Sequence, residues 1–557
     1  MRGMRRFFWL LVFLLVFAFQ VLAVEITQVG KVVAPHPNIG EEFIILISDN
    51  FWNVPEIQEA VGQWQEDLFR HVQVGSRVFA VTPCFKDNYY GTGGDLEASE
   101  QIRNFLSQQY WEKGITGVVF IGDIAFLPLY SRDSTGFSGS SDIFFADLDF
   151  DFTPYIVWVE SNMPQSEGGG TWYIYTDASS GFYYDGEPEI WVSRIIPPVR
   201  EMLRMTEEGR WQEYNPNLEK RTEMLLKFFE KNHEYWQGNE YCDFAYFSYT
   251  NSNLAPWYEE FKPVFPEIWC ERREYVDYCI PVSDFLNLPE TKMVYFLAHG
   301  GTTGIGFCDD YGLDSPEIYY SSVPVNIVFA HSCYTFDFSS GVLSVGQSFL
   351  FGQSGVVAEI GLGVDGCLRK FDNCPYSSIL PLGEIWKNIR SWNGIWDGIG
   401  YNLMGDPFVW VVKRIFLDEP YYFEYNPFDS SYFSCSAAIK PLTLKVEDGI
   451  INLNFQWPGS INPVDIYVGV DARNSMGYFF VWTPSGIICW DGNLSSLSPY
   501  KKEWVRGVHN KLFSGPLNDI PPGDYNGWVL VVPSGTDMSN FSFENSRHLL
   551  YHWHWQK

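Results

Sequence analysis

Hydrophobic and polar positions divide the chain into two textures. From about residue 41 to 415, apolar runs of strand length alternate with amphipathic stretches. Residues 42–48 form one continuous run. Residues 54–69 carry Ile57, Val61, Trp64 and Leu68 at helical spacing, and 77–82 form a second strand. A helix over 95–109 is predicted with Asp95 as its cap and Ile102, Phe105 and Leu106 on one face. Strands follow at 117–123 and 188–194. The cycle then repeats with a helix over 217–237, strands at 243–248, 293–298, 325–330 and 355–360, and a helix over 382–392. This alternation predicts βαβ units and a mainly parallel sheet in two successive α/β halves, 24–200 and 201–415. From about 418 the helical period vanishes. Short strands such as 464–470 and 527–532 stand between Gly, Pro, Asn and Ser turns, which predicts an all-β sandwich over 416–557.

Bulk properties change this picture at its edges. Arg2, Arg5 and Arg6 precede an unbroken apolar run from Phe7 to Phe19, and Val21-Leu22-Ala23 suits a signal-peptidase site. Residues 1–23 therefore read as a signal peptide, with a secreted, periplasmic or cell-surface mature chain. No later stretch reaches the roughly eighteen apolar residues of a membrane span, so no stable insertion is expected after cleavage. The formal charge of −31 argues against nucleic acid as a partner. Nothing in the sequence sets an oligomeric state. Ten cysteines in an exported chain permit disulfides, and the 270/279 and 367/374 pairs are close in sequence. Their spacings are not those of a structural zinc site.

Two of the predicted strands end in residues that can do chemistry. The run at 293–298 stops at His299-Gly300-Gly301, and that at 325–330 stops at His331-Ser332-Cys333. For an arbitrary His and Cys the plain reading is a turn cap and a buried thiol. Here both follow apolar strands, Gly300 and Gly301 permit close backbone approach, and the spacer suits a crossover between neighbouring parallel strands. Open parallel sheets place their sites at the carboxyl ends of strands, so the two residues form a candidate acyl-transfer pair.

Hydrophobic block, His-Gly, spacer, hydrophobic block and small residue–Cys resembles the pattern of the caspase/gingipain/legumain clan of cysteine peptidases. Five further segments, in order, resemble the gingipain family in particular: 42–52 (EFIILISDNFW), 117–128 (GVVFIGDIAFLP), 141–149 (SDIFFADLD), 189–194 (EIWVSR) and 401–407 (YNLMGDP). The resemblance implies a caspase-like α/β/α sandwich and an endopeptidase acting on proteins or peptides. It makes Cys333 the nucleophile and His299 the general acid/base. Chemistry supports these roles. A thiol of ordinary pKa ~8.5 is only a few per cent thiolate at neutral pH and needs a nearby imidazolium. The backbone N–H groups of Gly300 and Cys333 would form the oxyanion hole, each such donor being worth about 3 kcal/mol. His331 is a rival base, since i and i+2 share a face along a strand.

The sequence departs from the family at 248–253. The family carries there an acid that orients the His and another that binds basic substrate side chains. This chain has no carboxylate there, and Asn251 is the candidate for orienting His299. Preference for Arg or Lys substrates therefore does not carry over. Asp147, Asp149 and Asp151 stand at alternate positions and on a strand would share one face. A solvated edge is the plain reading, and the family's structural Ca²⁺ makes them candidate ligands. No cofactor is implied for catalysis itself. Two other classes stay open: a catalytically inactive gingipain-like binding or adhesion protein, motivated by the missing acid, and a glycan-binding protein, motivated by the aromatic residues.

Overall fold

The computed structural model describes residues 24–37, 40–82, 95–130, 138–160, 170–175, 188–200, 202–205, 211–238, 245–249, 271–274, 288, 290–297, 299–306, 312–338, 341–362, 381–392, 400–410, 421–424, 442–447, 449–458, 463–472, 478–490, 496–504, 507–541 and 549–557. The signal segment, Asn251 and the two sequence-close cysteine pairs lie outside these residues.

One sheet runs through both α/β halves. Its strands in chain order are β1 (Glu25–Val33), β2 (Glu42–Ser48), β3 (Gly75–Thr82), β4 (Gly117–Ile121), β5 (Trp191–Ile195), β6 (Ala245–Tyr249), β7 (Glu271–Glu274), β8 (Thr291–Leu297), β9 (Val325–His331), β10 (Ala358–Leu362) and β11 (Tyr401–Gly405). Their order across the sheet is β1-β3-β2-β4-β5-β11-β10-β9-β8-β6-β7. All neighbours are parallel except β1 with β3 and β10 with β11. The inner strands are buried on both faces, which is why they read as continuous apolar runs rather than alternating ones.

The longer helices are α1 (Pro55–Val72), α2 (Leu96–Lys113), α3 (Leu218–Trp236), α4 (Val345–Phe351) and α5 (Leu382–Trp392). Asp95 caps α2 as expected, accepting from Ala98 N at 3.0 Å, and Asn217 caps α3. α1 and α2 run several residues beyond the expected ends. Basic side chains in their last turns suit the negative end of the helix dipole. Each helix stops where Gln73 or Gly114 takes the left-handed conformation. The β2–β3 and β3–β4 connections step in opposite directions across the sheet, so right-handed crossovers put α1 and α2 on opposite faces.

Buried polar contacts fasten one half to the other. Asp406, just past β11, accepts from Trp64 Nε1 of α1 (2.9 Å), Asn232 Nδ2 of α3 (2.8 Å) and Trp236 Nε1 of α3 (2.9 Å). Arg221 of α3 pairs with Asp123 beyond β4. Apolar side chains from Phe43 and Trp64 to Phe329 and Trp410 form one continuous core.

The C-terminal region is a mainly antiparallel sandwich, as its texture predicts, with Tyr421–Glu424 pairing in parallel with Leu549–Gln556. A seven-stranded sheet includes Val464–Ala472 and Asp524–Pro533, and a three-stranded one includes Ile450–Pro458. Leu453 and Phe455 of the smaller sheet pack with Val464, Ile466, Val529 and Val531 of the larger. Among the described residues no helix is long and apolar enough to cross a membrane.

Candidate active site

β8 and β9 are neighbours in the sheet, paired from Thr291 opposite Val325 to Leu297 opposite His331 without a shift of register. Both strands therefore end at the same edge of the sheet, and positions 299 and 333 each follow two residues after the last pair, Leu297 with His331. β9 ends at His331, and the chain turns from Ser332 onward. Beyond β8, His299–Gly301 opens a small antiparallel sheet with Gly304–Gly306 and Gly312–Asp314.

Gly300 lies hard against the turn that carries Cys333. A Cβ at this position would come within 2.8 Å of Ser332 Cβ, 2.8 Å of Thr335 Cγ2 and 2.9 Å of Cys333 O. Gly301 faces open space. Of the two glycines expected to permit close approach, only the first is used for it.

Cys333 is a half-buried thiol. The next residue, Tyr334, has φ +57°, a left-handed conformation that costs a non-glycine residue about 1–3 kcal/mol unless its surroundings enforce it. The surroundings are extensive. Thr335 Oγ1 donates to Ser332 O (2.8 Å), and Asp337 N donates to Tyr334 O (3.0 Å). Thr335 O accepts from Gly346 N at the start of α4 (2.9 Å). Phe336 and Phe338 are fully buried. Phe336 occupies the space over Gly361 of β10, where a Cβ would stand 2.3 Å from its ring. Phe338 lies edge-on to Phe126 and over the Arg194 guanidinium, 4.6 Å from its ring centre.

Arg194 is the centre of a buried ionic post. It is fully buried and grips the equally buried Asp142 through Nε (2.9 Å to each carboxylate oxygen) and Nη2 (2.7 Å). The Phe120 ring covers the guanidinium at 4.6 Å. Such a pair gains little net stability, but removing one partner strands a buried charge and costs about 3–5 kcal/mol. Asp142 and Arg194 belong to segments 141–149 and 189–194, two of the five that resemble the gingipain family. Here they build the support beneath the Phe338 end of the Cys333 turn.

The acidic triplet differs from its strand reading. Residues 147–151 leave the short helix Ile143–Ala146 as a turn, with Asp147 buried and Asp149 and Asp151 exposed. Asp151 caps Thr153 N (3.0 Å). Asp147 and Asp149 instead meet Glu189, their carboxylate oxygens lying within 4.8 Å of one another. Burial, and then the neighbouring Asp149, push the Glu189 carboxyl above its ordinary range, while its hydrogen bond from Leu148 N opposes this. An all-oxygen anionic set of this kind fits a hard cation such as Ca²⁺. Glu189 lies 40 residues from Asp149, and no spacing rule linked the two.

A half-buried Cys turn and a His-Gly step at the ends of adjacent strands of a parallel, helix-covered sheet define a cysteine-peptidase type of α/β fold. The chain belongs to Peptidase family C25, the gingipain family, whose sequence pattern matches residues 40–411. A solved structure of a protease is similar over 92% of this chain and 97% of its own, at 12% identity and a TM-score of 0.44. No curated protein matches the sequence.

Proposed function

We propose that the protein is an exported cysteine endopeptidase in which Cys333 and His299 form the catalytic dyad. The observation that carries this reading is the β8–β9 register together with the packing of Gly300 against the Cys333 turn. The Cys333 thiolate adds to a peptide carbonyl, and the oxyanion is held by the N–H groups of Gly300 and Cys333. His299 gives its proton to the leaving amine, which leaves a thioester on Cys333. His299 then takes a proton from water as the water attacks, and the acid product departs with the thiol restored. Protein or peptide substrates follow from the family. Export rests on residues 1–23.

The protein contains its own reference thiol, since Cys489 is exposed. With iodoacetamide near neutral pH, Cys333 is expected to react about tenfold or more faster than Cys489, because an ordinary thiol there is only a few per cent ionised. His299→Ala should abolish the difference and Cys333→Ala the label. Equal rates at the two cysteines would refute the dyad and leave a binding protein.

Structural Ca²⁺ held by Asp147, Asp149 and Glu189 belongs to the same proposal. Calcium added to EDTA-treated protein is expected to raise the melting temperature, as about 2.7 kcal/mol of stabilisation at a hundredfold excess over Kd requires. Glu189→Gln should lose the gain. A melting curve indifferent to calcium would remove this site.

A further inference from the structure

The turn after Cys333 is held from two distant parts of the chain. Ser140 Oγ donates to Phe336 O (3.2 Å) and accepts from Phe338 N (3.3 Å). Asn402 Nδ2, on β11, lies 2.8 Å from Ser140 Oγ, 3.1 Å from Phe336 O and 3.2 Å from Ser140 O. All four residues are fully buried, so water does not compete for these bonds, and each is stronger for the low dielectric around it. The hydroxyl thus uses its one proton on Phe336 O and its two acceptor sites on the Phe338 N–H and the Asn402 amide. Ser140 stands two residues before Asp142, whose carboxylate is fixed by Arg194, and Arg194 in turn lies under the Phe338 ring. Ser140 and the Phe338 ring therefore rest on the same ionic post.

We propose that Ser140 and Asn402 are positioning residues for the nucleophile. By fixing the Phe336 carbonyl and the Phe338 N–H they hold Tyr334 in its left-handed conformation. That conformation aims the Cys333 thiol and its backbone N–H. The proposal rests on the peptidase reading above. Neither residue touches the reacting atoms. Without the clamp the turn relaxes toward an ordinary backbone at Tyr334, and Cys333 loses its alignment with position 299 while the sheet beneath stays intact.

The test measures alkylation of Cys333 in the full chain by iodoacetamide from about pH 5 to 9, a range spanning imidazole and thiol titration. Inactivation by an acyloxymethyl-ketone peptide is followed alongside. Ser140→Ala is expected to slow both by about 10- to 100-fold, the scale of effect that small misplacements produce. The half-saturating probe concentration should stay within about twofold, and the alkylation midpoint should move up toward that of an ordinary thiol, about 8.5. Ser140→Thr, which keeps the hydroxyl, should restore the wild-type profile. Val531→Ala, a cavity in the β-sandwich, should lower the melting temperature without moving the profile. If Ser140→Ala fails to fold, Asn402→Leu, which removes both amide protons at similar volume without burying a charge, carries the same expectation. A folded variant with the wild-type rate and pH profile overturns the proposal. Failure of the peptidase reading looks different, because Cys333 would then match Cys489 in the wild-type protein.

Discussion

Around Cys333, single residues matter most where a side chain is missing. The atoms facing Gly300 are two side-chain carbons close to the backbone and a carbonyl oxygen, none of which can swing away. Gly300→Ala is therefore expected to cost about 1–3 kcal/mol through overpacking and to slow Cys333 alkylation at least tenfold. Gly301→Ala, directed into open space, should do neither. Urea denaturation and alkylation on the pair decide it, and equal behaviour of the two variants would contradict the close approach. At this scale legibility was uneven. Asp95 was readable as a cap because its partner, Ala98, is three residues away. Ser140 was not, because its partners Phe336 and Asn402 lie 196 and 262 residues away.

Among the elements, β10 shows what an apolar pattern conceals. The expected strand at 355–360 is observed at 358–362, and Glu359 within it is fully buried. Among the described residues neither of its carboxylate oxygens has a hydrogen-bond partner, and one lies 3.1 Å from where a Cβ on Gly346 of α4 would stand. Burial pushes this carboxyl well above its ordinary 4.5, and the charge of Lys231 on α3 opposes the shift only in part. Burial likewise lowers the Lys231 ammonium to about 7, although it donates to Leu350 O (2.7 Å) and Ser354 O (3.1 Å). Above pH 4.5 native Glu359 keeps a proton that the unfolded chain has released. Stability is thus lost as pH rises from there through the native pKa. Glu359→Gln removes that slope. Its melting temperature relative to wild type should climb between about pH 4.5 and 6, below the range in which Lys231 titrates. A pH-independent difference in calorimetry would show that Glu359 is not the titrating group.

For the molecule as a whole, the two α/β halves act as one body because β11 returns from the second half to pair with β5 of the first. Asp406 then gathers the indoles of Trp64 and Trp236 and the Asn232 carboxamide at the seam. Burial raises this carboxyl, and its four N–H donors hold it down. Local periodicity was enough to determine the α/β region, the sandwich that follows it and the two strands ending at His299 and Cys333. Each of those features depends on residues within one or two turns of each other, where strand and helix periods are written directly. The ordered motifs were enough to indicate the family. Only the tertiary structure decided the register in which β8 meets β9, that Gly300 rather than Gly301 meets the Cys333 turn, that Glu189 rather than Asp151 joins Asp147 and Asp149, and that Ser140 and Asn402 contact the turn. Those are contacts between segments tens to hundreds of residues apart. They are selected by packing and strand order, which leave no period in the sequence.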